Sequence, residues 1–154
     1  MDKKDLQILS ILQKNGATPL SELAEAVSLS STPCWRRVQK LWDEGVIEKQ
    51  VALCNPARLN LGVTVFVAIR TSQHSDAWMK KFMQGTRDIP EIVEIYRMSG
   101  DIDYLLKVVA PDIAGYDRVY KRLIKAVDLQ DVSSSFAMEV LKTTTALPLD
   151  YVGT

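Results

Sequence analysis

Residues 20–47, LSELAEAVSLSSTPCWRRVQKLWDEGVI, contain two short amphipathic helical patterns that meet across residues 28–30. So tight a joint is typical of a helix-turn-helix. The second helix has an apolar stripe and a polar stripe. The apolar stripe holds Cys34, Val38, Leu41 and Trp42, and the polar stripe holds Ser31, Thr32, Trp35, Arg36, Gln39 and Lys40. The apolar stripe is predicted to pack, which leaves the polar stripe free to contact DNA.

Capping signals place three helices before residue 46. Asp2 is a suitable N-cap for a first helix that ends before residue 15. Thr18 is a second N-cap candidate, with Pro19 at the first helical position. Ser30 is predicted to cap the third helix and Gly45 to end it.

A change of pattern after Gly45 indicates the end of the first domain. The segment VIEKQVALCNP is short and β-prone, which favours a small wing or a connecting strand. We therefore predict a winged helix-turn-helix over residues 1–50, a hinge strand and linker over 51–62, and a second domain over 63–154.

The second domain alternates strand and helix patterns. Strands are predicted at 63–70, 92–98, 104–110 and 132–140, and helices at 76–86 and 113–127. The order βαββαβ gives a four-stranded antiparallel sheet with both helices on one face. The predicted fold class is therefore α+β, with a ferredoxin-like second domain.

The first strand indicates that both faces of this sheet are apolar. Val65, Val67 and Ile69 alternate with Phe66 and Ala68. Helices cover one face, and exposure of the other would be costly. A second subunit is the expected cover, and packing of the N-terminal domain there is the alternative.

Charge is balanced over the chain but not within the third helix. Its 154 residues include 19 Lys plus Arg and 19 Asp plus Glu, so net charge does not indicate a nucleic-acid partner. From residue 31 to residue 42, however, the charged residues are Arg36, Arg37 and Lys40. This local positive charge is what supports a DNA-binding role.

Bulk composition excludes several other classes of protein. A content of 47% hydrophobic and 25% charged residues is typical of a folded globular chain. No apolar run approaches the ~18 residues of a membrane span, and the start MDKKDLQ lacks the apolar core of a secretory signal. We expect a cytoplasmic protein that does not contact membranes.

The cysteines and the histidine do not form a metal-binding pattern. Cys34 and Cys54 lie in different elements, and His74 is the single histidine. Neither a zinc site nor a disulfide framework is expected from these residues. We predict no metal and no cofactor, and a packing role for Cys34.

Three segments in this order resemble the Lrp/AsnC family of regulators: LSSTPCWRRVQKLWDEGVI at 29–47, GDIDYLLKV at 100–108 and SSFAMEVLKTTTALPL at 134–149. The resemblance covers essentially the whole chain. It implies a winged helix-turn-helix joined to a ferredoxin-like RAM domain. It also implies a homodimer that assembles to an octamer, binds double-stranded DNA and senses a small amino acid between its C-terminal domains. The last segment is similar to regulators of sulfur or branched-chain metabolism, which implies cysteine, leucine or a related amino acid.

The resemblance and the residue pattern select the same side chains for DNA. Base or sugar contacts are expected from Ser31, Thr32, Trp35 and Arg36, and phosphate contacts from Arg37, Lys40 and the N-terminal backbone amides. Arg36 is the strongest candidate for sequence readout, because a guanidinium binds guanine in a bidentate way. Two alternatives stay open. In the first, Arg37 forms an ion pair with an acid such as Asp43 or Glu44 and stiffens the domain. In the second, Trp35, where the family often has a smaller residue, packs on a neighbouring helix.

The resemblance makes residues 99–103, SGDID, the effector loop. A glycine lets backbone N–H groups approach a carboxylate, and a nearby acid accepts hydrogen bonds from an ammonium. Gly100 and Asp101 are assigned to bind the carboxylate of the amino acid, and Asp103 is assigned to bind its amine. Met98 and Tyr104 are expected to flank the ligand. Hydroxyls of the run 133–135, with Ser134 and Ser135 selected, are expected from a second subunit. The alternative is an ordinary hairpin turn.

Two rival functions use the same residues or the same layout. An architectural protein that wraps DNA with little effector control would present the same helix. The second rival is an enzyme similar to the tetrapyrrole decarboxylases that resemble this family. Such an enzyme relies on histidines and arginines around a large substrate, whereas His74 is the single histidine of this chain. The leading hypothesis is a sequence-specific regulator whose DNA affinity or assembly changes with an amino acid.

Overall fold

The computed structural model describes residues 1–73, 75–126 and 128–153. In chain order they form α1 (Lys3–Leu12), α2 (Leu20–Ala26), α3 (Ser31–Asp43), a 3₁₀-helix (Pro56–Leu59), β1 (Val63–Arg70), α4 (Asp76–Arg87), β2 (Ile92–Arg97), β3 (Tyr104–Ala110), α5 (Ile113–Ala126) and β4 (Asp131–Phe136). His74 and Val127, which the sequence places in a loop and at a helix end, lie outside the described residues.

The chain divides into two compact units. The N-terminal unit contains residues 1–53 together with 141–153, and the C-terminal unit contains residues 54–140. This division differs from the predicted one, in which the second domain runs from 63 to 154. The reason is that Leu149 packs with the apolar core of the N-terminal unit.

The core of the N-terminal unit joins α1, α2 and α3. It consists of Ile8, Leu9, Leu23, Ala24, Val27, Cys34 and Leu41, each at most 6% exposed. The predicted packing role of Cys34 is confirmed. Burial also raises the pKa of its thiol, which keeps the sulfur protonated.

The caps of these helices agree with the sequence in part. Asp2 caps α1 as predicted, accepting hydrogen bonds from the backbone N–H groups of Lys4 and Asp5 at 2.8 and 3.0 Å. Thr18 is not the cap of α2. Its hydroxyl donates to the carbonyl of Asn15, and Pro19 takes the N-cap position. Ser30 occupies the N-cap position of α3, but its side chain makes no capping hydrogen bond.

The turn between α2 and α3 is a Schellman motif centred on Ser28. The N–H of Leu29 donates to the carbonyl of Ala24, and the N–H of Ser28 donates to that of Glu25, both at 2.9 Å. The motif requires a left-handed residue, and Ser28 has φ +53°. Gly45, at φ +69°, occupies the same position after α3 and ends that helix as predicted.

Ser28→Gly should stabilise the protein by about 0.5–1 kcal/mol, because glycine adopts the left-handed region without the steric cost that a Cβ adds. Equilibrium urea unfolding measures the change. Ser28→Ala is the matched control, since it removes the hydroxyl but keeps the Cβ. Equal stability of the glycine and alanine variants would contradict the argument.

The segment after Gly45 does not form the wing or hinge strand that the sequence predicts. Residues 46–62 are all described and include no strand, and the 3₁₀-helix begins after Asn55, whose side chain accepts from the N–H of Ala57. An extended segment becomes a strand only where a second strand pairs with it. Here the Gln50 side chain donates to the Gly16 carbonyl instead, at 2.6 Å.

The C-terminal unit has the predicted ferredoxin-like βαββαβ topology. Its sheet has the order β2-β3-β1-β4, and every neighbouring pair is antiparallel. The bounds of β1 and β3 are those predicted, whereas β4 ends at Phe136 rather than at 140. Beyond Ala137 the chain passes the end of β1, its partner strand, so no ladder continues.

Both long helices of this unit cover one face of the sheet. The core between them consists of Val65, Val67, Ile69, Trp78, Phe82, Ile89, Tyr104, Leu106, Val108, Ala110, Tyr116, Val119 and Leu123. The opposite face of the sheet, here called the open face, carries the alternate residues of each strand. Phe66 at its centre is 39% exposed.

Among the described residues, no helix is long and apolar enough to cross a membrane.

Candidate functional site

The polar stripe of α3 is exposed as the sequence predicts. Ser31, Thr32, Trp35, Arg36, Gln39 and Lys40 all face solvent. Trp35 is 51% exposed, so it does not pack into the core of the unit. Helix α3 therefore presents one continuous exposed surface from its first residue to Lys40, with Trp35 as its aromatic member.

Arg37 is held in an ion cluster with α1. Its Nη1 donates to Asp2 Oδ2 and to Asp5 Oδ1, each at 2.7 Å. The hydrogen bonds that the guanidinium donates to Asp5 and Asp2 raise its pKa, so Arg37 is always charged. Arg37 thus forms the ion pair that the sequence left open as an alternative, with Asp2 and Asp5 as the acids rather than Asp43 or Glu44. Since α1 is a neighbouring helix, Arg37 fastens α3 to α1.

The charge available for a ligand is thus smaller than the sequence suggests. Lys40 lies 3.6 Å from Glu44 in an exposed pair, which is a weak interaction. Arg36 has no hydrogen-bonding or ionic partner among the described residues. It lies beside Arg37 and Lys40 on a groove of about 600 Å³. Arg36 is the cation of α3 that is free to bind.

The N-terminus of α3 adds backbone donors to this surface. The first turn contains no acidic residue, and the helical hydrogen bonds begin at the N–H of Cys34, which donates to Ser30. The N–H groups of Ser31 and Thr32 have no acceptor within the helix. Together with the helix dipole they favour a phosphate oxygen at this end.

The predicted effector loop connects β2 and β3. The N–H of Met98 donates to the carbonyl of Asp103 at 2.8 Å and closes the hairpin. Gly100 has φ +119°, and an added Cβ would meet open space, so its backbone is accessible. The Asp103 carboxylate accepts from the N–H of Thr71 at 2.8 Å. One carboxylate oxygen of Asp103 thus secures the loop to the end of β1.

Arg70, which the sequence analysis did not select, organises this region. Its Nε donates to the carbonyl of Asp101 at 2.7 Å, and its Nη1 lies 3.2 Å from Asp131 Oδ2. Arg70 therefore connects the hairpin with the start of β4. The sequence feature that could have identified Arg70 is its place as the one charged residue of the apolar strand VTVFVAIR.

A cavity of about 420 Å³ adjoins the hairpin. It is lined by Ala68, Arg70, Ile102, Asp131, Val132 and Ser133. Arg70 and Asp131 place both signs of charge on its wall. The serine that lines this cavity is Ser133, whereas the sequence analysis selected Ser134 and Ser135.

Two of the seven predicted effector residues point away from this cavity. Tyr104 is 4% exposed and packs with its ring tilted against those of Trp78 and Phe82, with ring centroids 5.5 and 4.9 Å away. Ser134 hydrogen-bonds the hydroxyl of Tyr116. The reason is strand alternation, since these residues pair in register with Ile69 and Val67, which face the helices. Met98, Gly100, Asp101 and Ser135 are exposed.

No group of three or more His, Cys, Asp or Glu side chains within the described residues is arranged to hold a metal ion.

Both halves of the chain match known families. Residues 64–147 match the family described as Lrp/AsnC ligand binding domain. Residues 1–48 match the family described as winged helix-turn-helix DNA-binding.

Relatives match this chain over nearly its whole length. The glutamate uptake regulatory protein of Zymomonas mobilis is 46% identical over 97% of this chain and 91% of its own length. The crystal structure of an AsnC family transcriptional regulator from Agrobacterium tumefaciens has 55% identity and a TM-score of 0.95, over 99% of both chains. A transcriptional regulator from Neisseria meningitidis, solved in complex with L-Met, has 34% identity and a TM-score of 0.92, over 97% of both chains.

Proposed function

Because this chain belongs to the Lrp/AsnC family and is a DNA-binding transcriptional regulator, we propose that it recognises a specific DNA sequence as a homodimer or larger assembly and responds to a small amino acid. The observation that carries the proposal is the exposed face of α3 with its unpaired Arg36. Regulation of transcription is a non-enzymatic role, so the decarboxylase-like alternative is set aside. The proposal includes a cytoplasmic location, which the DNA-binding role supports.

DNA recognition uses the two parts of α3 differently. Arg36 lies on the exposed face and supplies a guanidinium for guanine O6 and N7 in the major groove. Ser31, Thr32 and Trp35 contact neighbouring bases or sugars. Lys40 and the free backbone N–H groups of the first turn hold phosphates. Arg37 supports this surface from behind through its bonds to α1.

The amino acid binds at the hairpin and its adjoining cavity. The accessible backbone at Gly100 and Asp101 suits the carboxylate, and the second oxygen of Asp103 suits the ammonium. Arg70 and Asp131 line the neighbouring cavity with charges of both signs. The L-Met bound to the Neisseria regulator supports a ligand of this chemical class.

The open face of the sheet supports self-association. On its central strand β1, Phe66 is 39% exposed, and Lys107 of β3, which pairs in register with Phe66, forms an ion pair with Glu94 of β2 at 2.9 Å. An exposed apolar side chain beside a paired charge is typical of a protein interface. A second copy of the sheet covers this face in the proposed homodimer, and further assembly leads to the octamer.

Selection of short genomic fragments by the purified protein tests the proposal. At about 150 mM salt, where nonspecific phosphate binding is weakened, we expect a recurring, roughly palindromic site. A pool of amino acids that includes L-Met should shift the affinity for that site about 5–150-fold. The selection is made with and without the amino-acid pool. Recovery of fragments that share no common site in either case would favour the architectural alternative. No recovery at all would contradict the proposal.

Asp101→Ala should abolish the amino-acid shift while DNA affinity without amino acids stays within about twofold, since coupling and DNA binding are separate free energies. The substitution keeps the backbone carbonyl that Arg70 binds. Asp128→Ala, an exposed carboxylate on the same unit, is the matched control. An unchanged shift in Asp101→Ala would remove this residue from the effector site.

A further inference from the structure

The C-terminal segment of the chain is part of the DNA-binding unit. Residues 141–153 pack with residues 1–53, whereas residues 54–140 form the other unit. The chain therefore passes from one unit to the other twice, first at 53–54 and again at 140–141. Two covalent connections restrict the motion of two bodies far more than one connection does.

Gln13, at the C-terminal end of α1, binds the main chain of this segment. The N–H of Leu147 donates to Gln13 Oε1 at 2.7 Å, and Gln13 Nε2 donates to the carbonyl of Leu147 at 3.2 Å. The side-chain amide thus pairs with one residue as a neighbouring strand would. Since both hydrogen bonds are made to the backbone of Leu147, they require an extended segment and are independent of its side chain.

Two further contacts complete the attachment. The Thr145 hydroxyl donates to the carbonyl of Gln13 at 2.8 Å and so caps α1, whose last carbonyls have no helical partner. Leu149 packs against the core of the N-terminal unit. Pro148 favours the extended conformation of the residue before it, which is the conformation that pairs with Gln13.

The attached segment begins a short distance after the candidate effector site. Ser133 of β4 lines the cavity, β4 ends at Phe136, and residues 137–143 lead to the attached residues. A connection of this length spans at most about 25 Å when extended. Seven residues of chain, 137–143, therefore separate the end of β4 from the segment attached at the end of α1.

We propose that residues 144–149 are a strap that couples the two units. Docked on Gln13, the strap ties the motion of the DNA-binding unit to that of the C-terminal unit. Released, it leaves the DNA-binding unit on its first connection alone. The coupling rests on the proposed function, because it carries a signal only if an amino acid binds near β4.

Time-resolved fluorescence anisotropy tests the strap without DNA or effector. A dye is attached at Glu25→Cys, an exposed position on α2, in a full-length chain with Cys54→Ser, while Cys34 is buried and unreactive. We expect slow decay alone in this parent. Gln13→Ala should add a nanosecond component, because the labelled unit then moves independently.

Two variants make the result decisive. Lys14→Ala is the matched control, since its exposed neighbouring side chain has no hydrogen-bonding partner among the described residues. A chain ending at residue 143 removes the whole strap and should reproduce or exceed the effect of Gln13→Ala. A fast component already present in the parent, or decay unchanged in both strap variants, would overturn the proposal.

The signalling role is tested on the DNA site recovered by selection, with the same amino-acid pool. Gln13→Ala should reduce the amino-acid shift in DNA affinity at least about fivefold. A full shift in this variant, with the nanosecond component present, would overturn the coupling. No shift in the parent would contradict the proposed function instead, and the anisotropy result would still decide whether the strap ties the two units.

Discussion

Arg37→Ala should unfold the DNA-binding unit at a lower urea concentration than the parent protein. The substitution leaves the Asp5 carboxylate, whose side chain is 6% exposed, without its cation. An unpaired polar group at such a site costs about 1–3 kcal/mol of unfolding free energy. Equilibrium urea unfolding followed by tryptophan fluorescence, to which Trp35 and Trp42 of this unit contribute, measures the loss.

A second substitution at the same cluster identifies the cause. Asp5→Asn combined with Arg37→Ala removes the buried charge as well as its partner, so part of the lost stability should return. Arg36→Ala, one residue away and unpaired, should change the unfolding midpoint very little. Equal destabilisation by Arg36→Ala would show that the ion cluster with α1 is not the source.

The effect of Arg37→Ala should also depend on pH. The backbone N–H of Asp5 and the Arg37 guanidinium hold the pKa of Asp2 below its ordinary value. A carboxyl with a lowered pKa stabilises the fold above its ordinary pKa, and this contribution disappears as pH falls through the lowered value. The difference between parent and variant should therefore shrink below about pH 4.

Arg36→Ala should weaken binding to the selected DNA site about 10–100-fold, because a bidentate contact to guanine supplies about 1–3 kcal/mol of discrimination. Binding to unrelated DNA should change much less. Competition binding with labelled duplexes measures both affinities. Stability should stay unchanged, which separates this substitution from Arg37→Ala.

The salt dependence distinguishes base contact from phosphate contact at Arg36. A lost phosphate contact lowers affinity equally for all sequences and reduces the salt slope by about one. Arg36→Lys keeps the charge but loses the planar bidentate geometry, so it should relax specificity while nonspecific affinity is retained. A uniform loss with a smaller slope would assign Arg36 to a phosphate.

Several elements were predictable because their signals are local. Strands β1 and β3 coincide with two short, mainly apolar runs of β-prone residues, and Gly45 ends α3 because glycine adopts the left-handed conformation readily. The exposed and buried stripes of α3 follow from the period of 3.6 residues. Prediction failed where an element needs a distant partner, as for the hinge strand and the last residues of β4.

The candidate site shows the same division. Residue type and spacing selected the hairpin and the exposed face of α3, but several side chains contact segments far away in sequence. Arg37 bonds residues of α1, Arg70 joins the hairpin to β4, and Tyr104 lies in the core. None of these contacts leaves a local pattern in the sequence.

The sequence by itself determined the order of helices and strands, the fold class and the surface of α3, because each depends on periodicity, capping and turn residues within a few positions. Tertiary structure alone decided which charges remain available, which serine faces the cavity, and that residues 144–149 join the DNA-binding unit. The physical reason is that ion pairs, strand register and the attachment of a chain segment depend on groups that folding brings together. These groups can lie as far apart in sequence as Gln13 and Leu147.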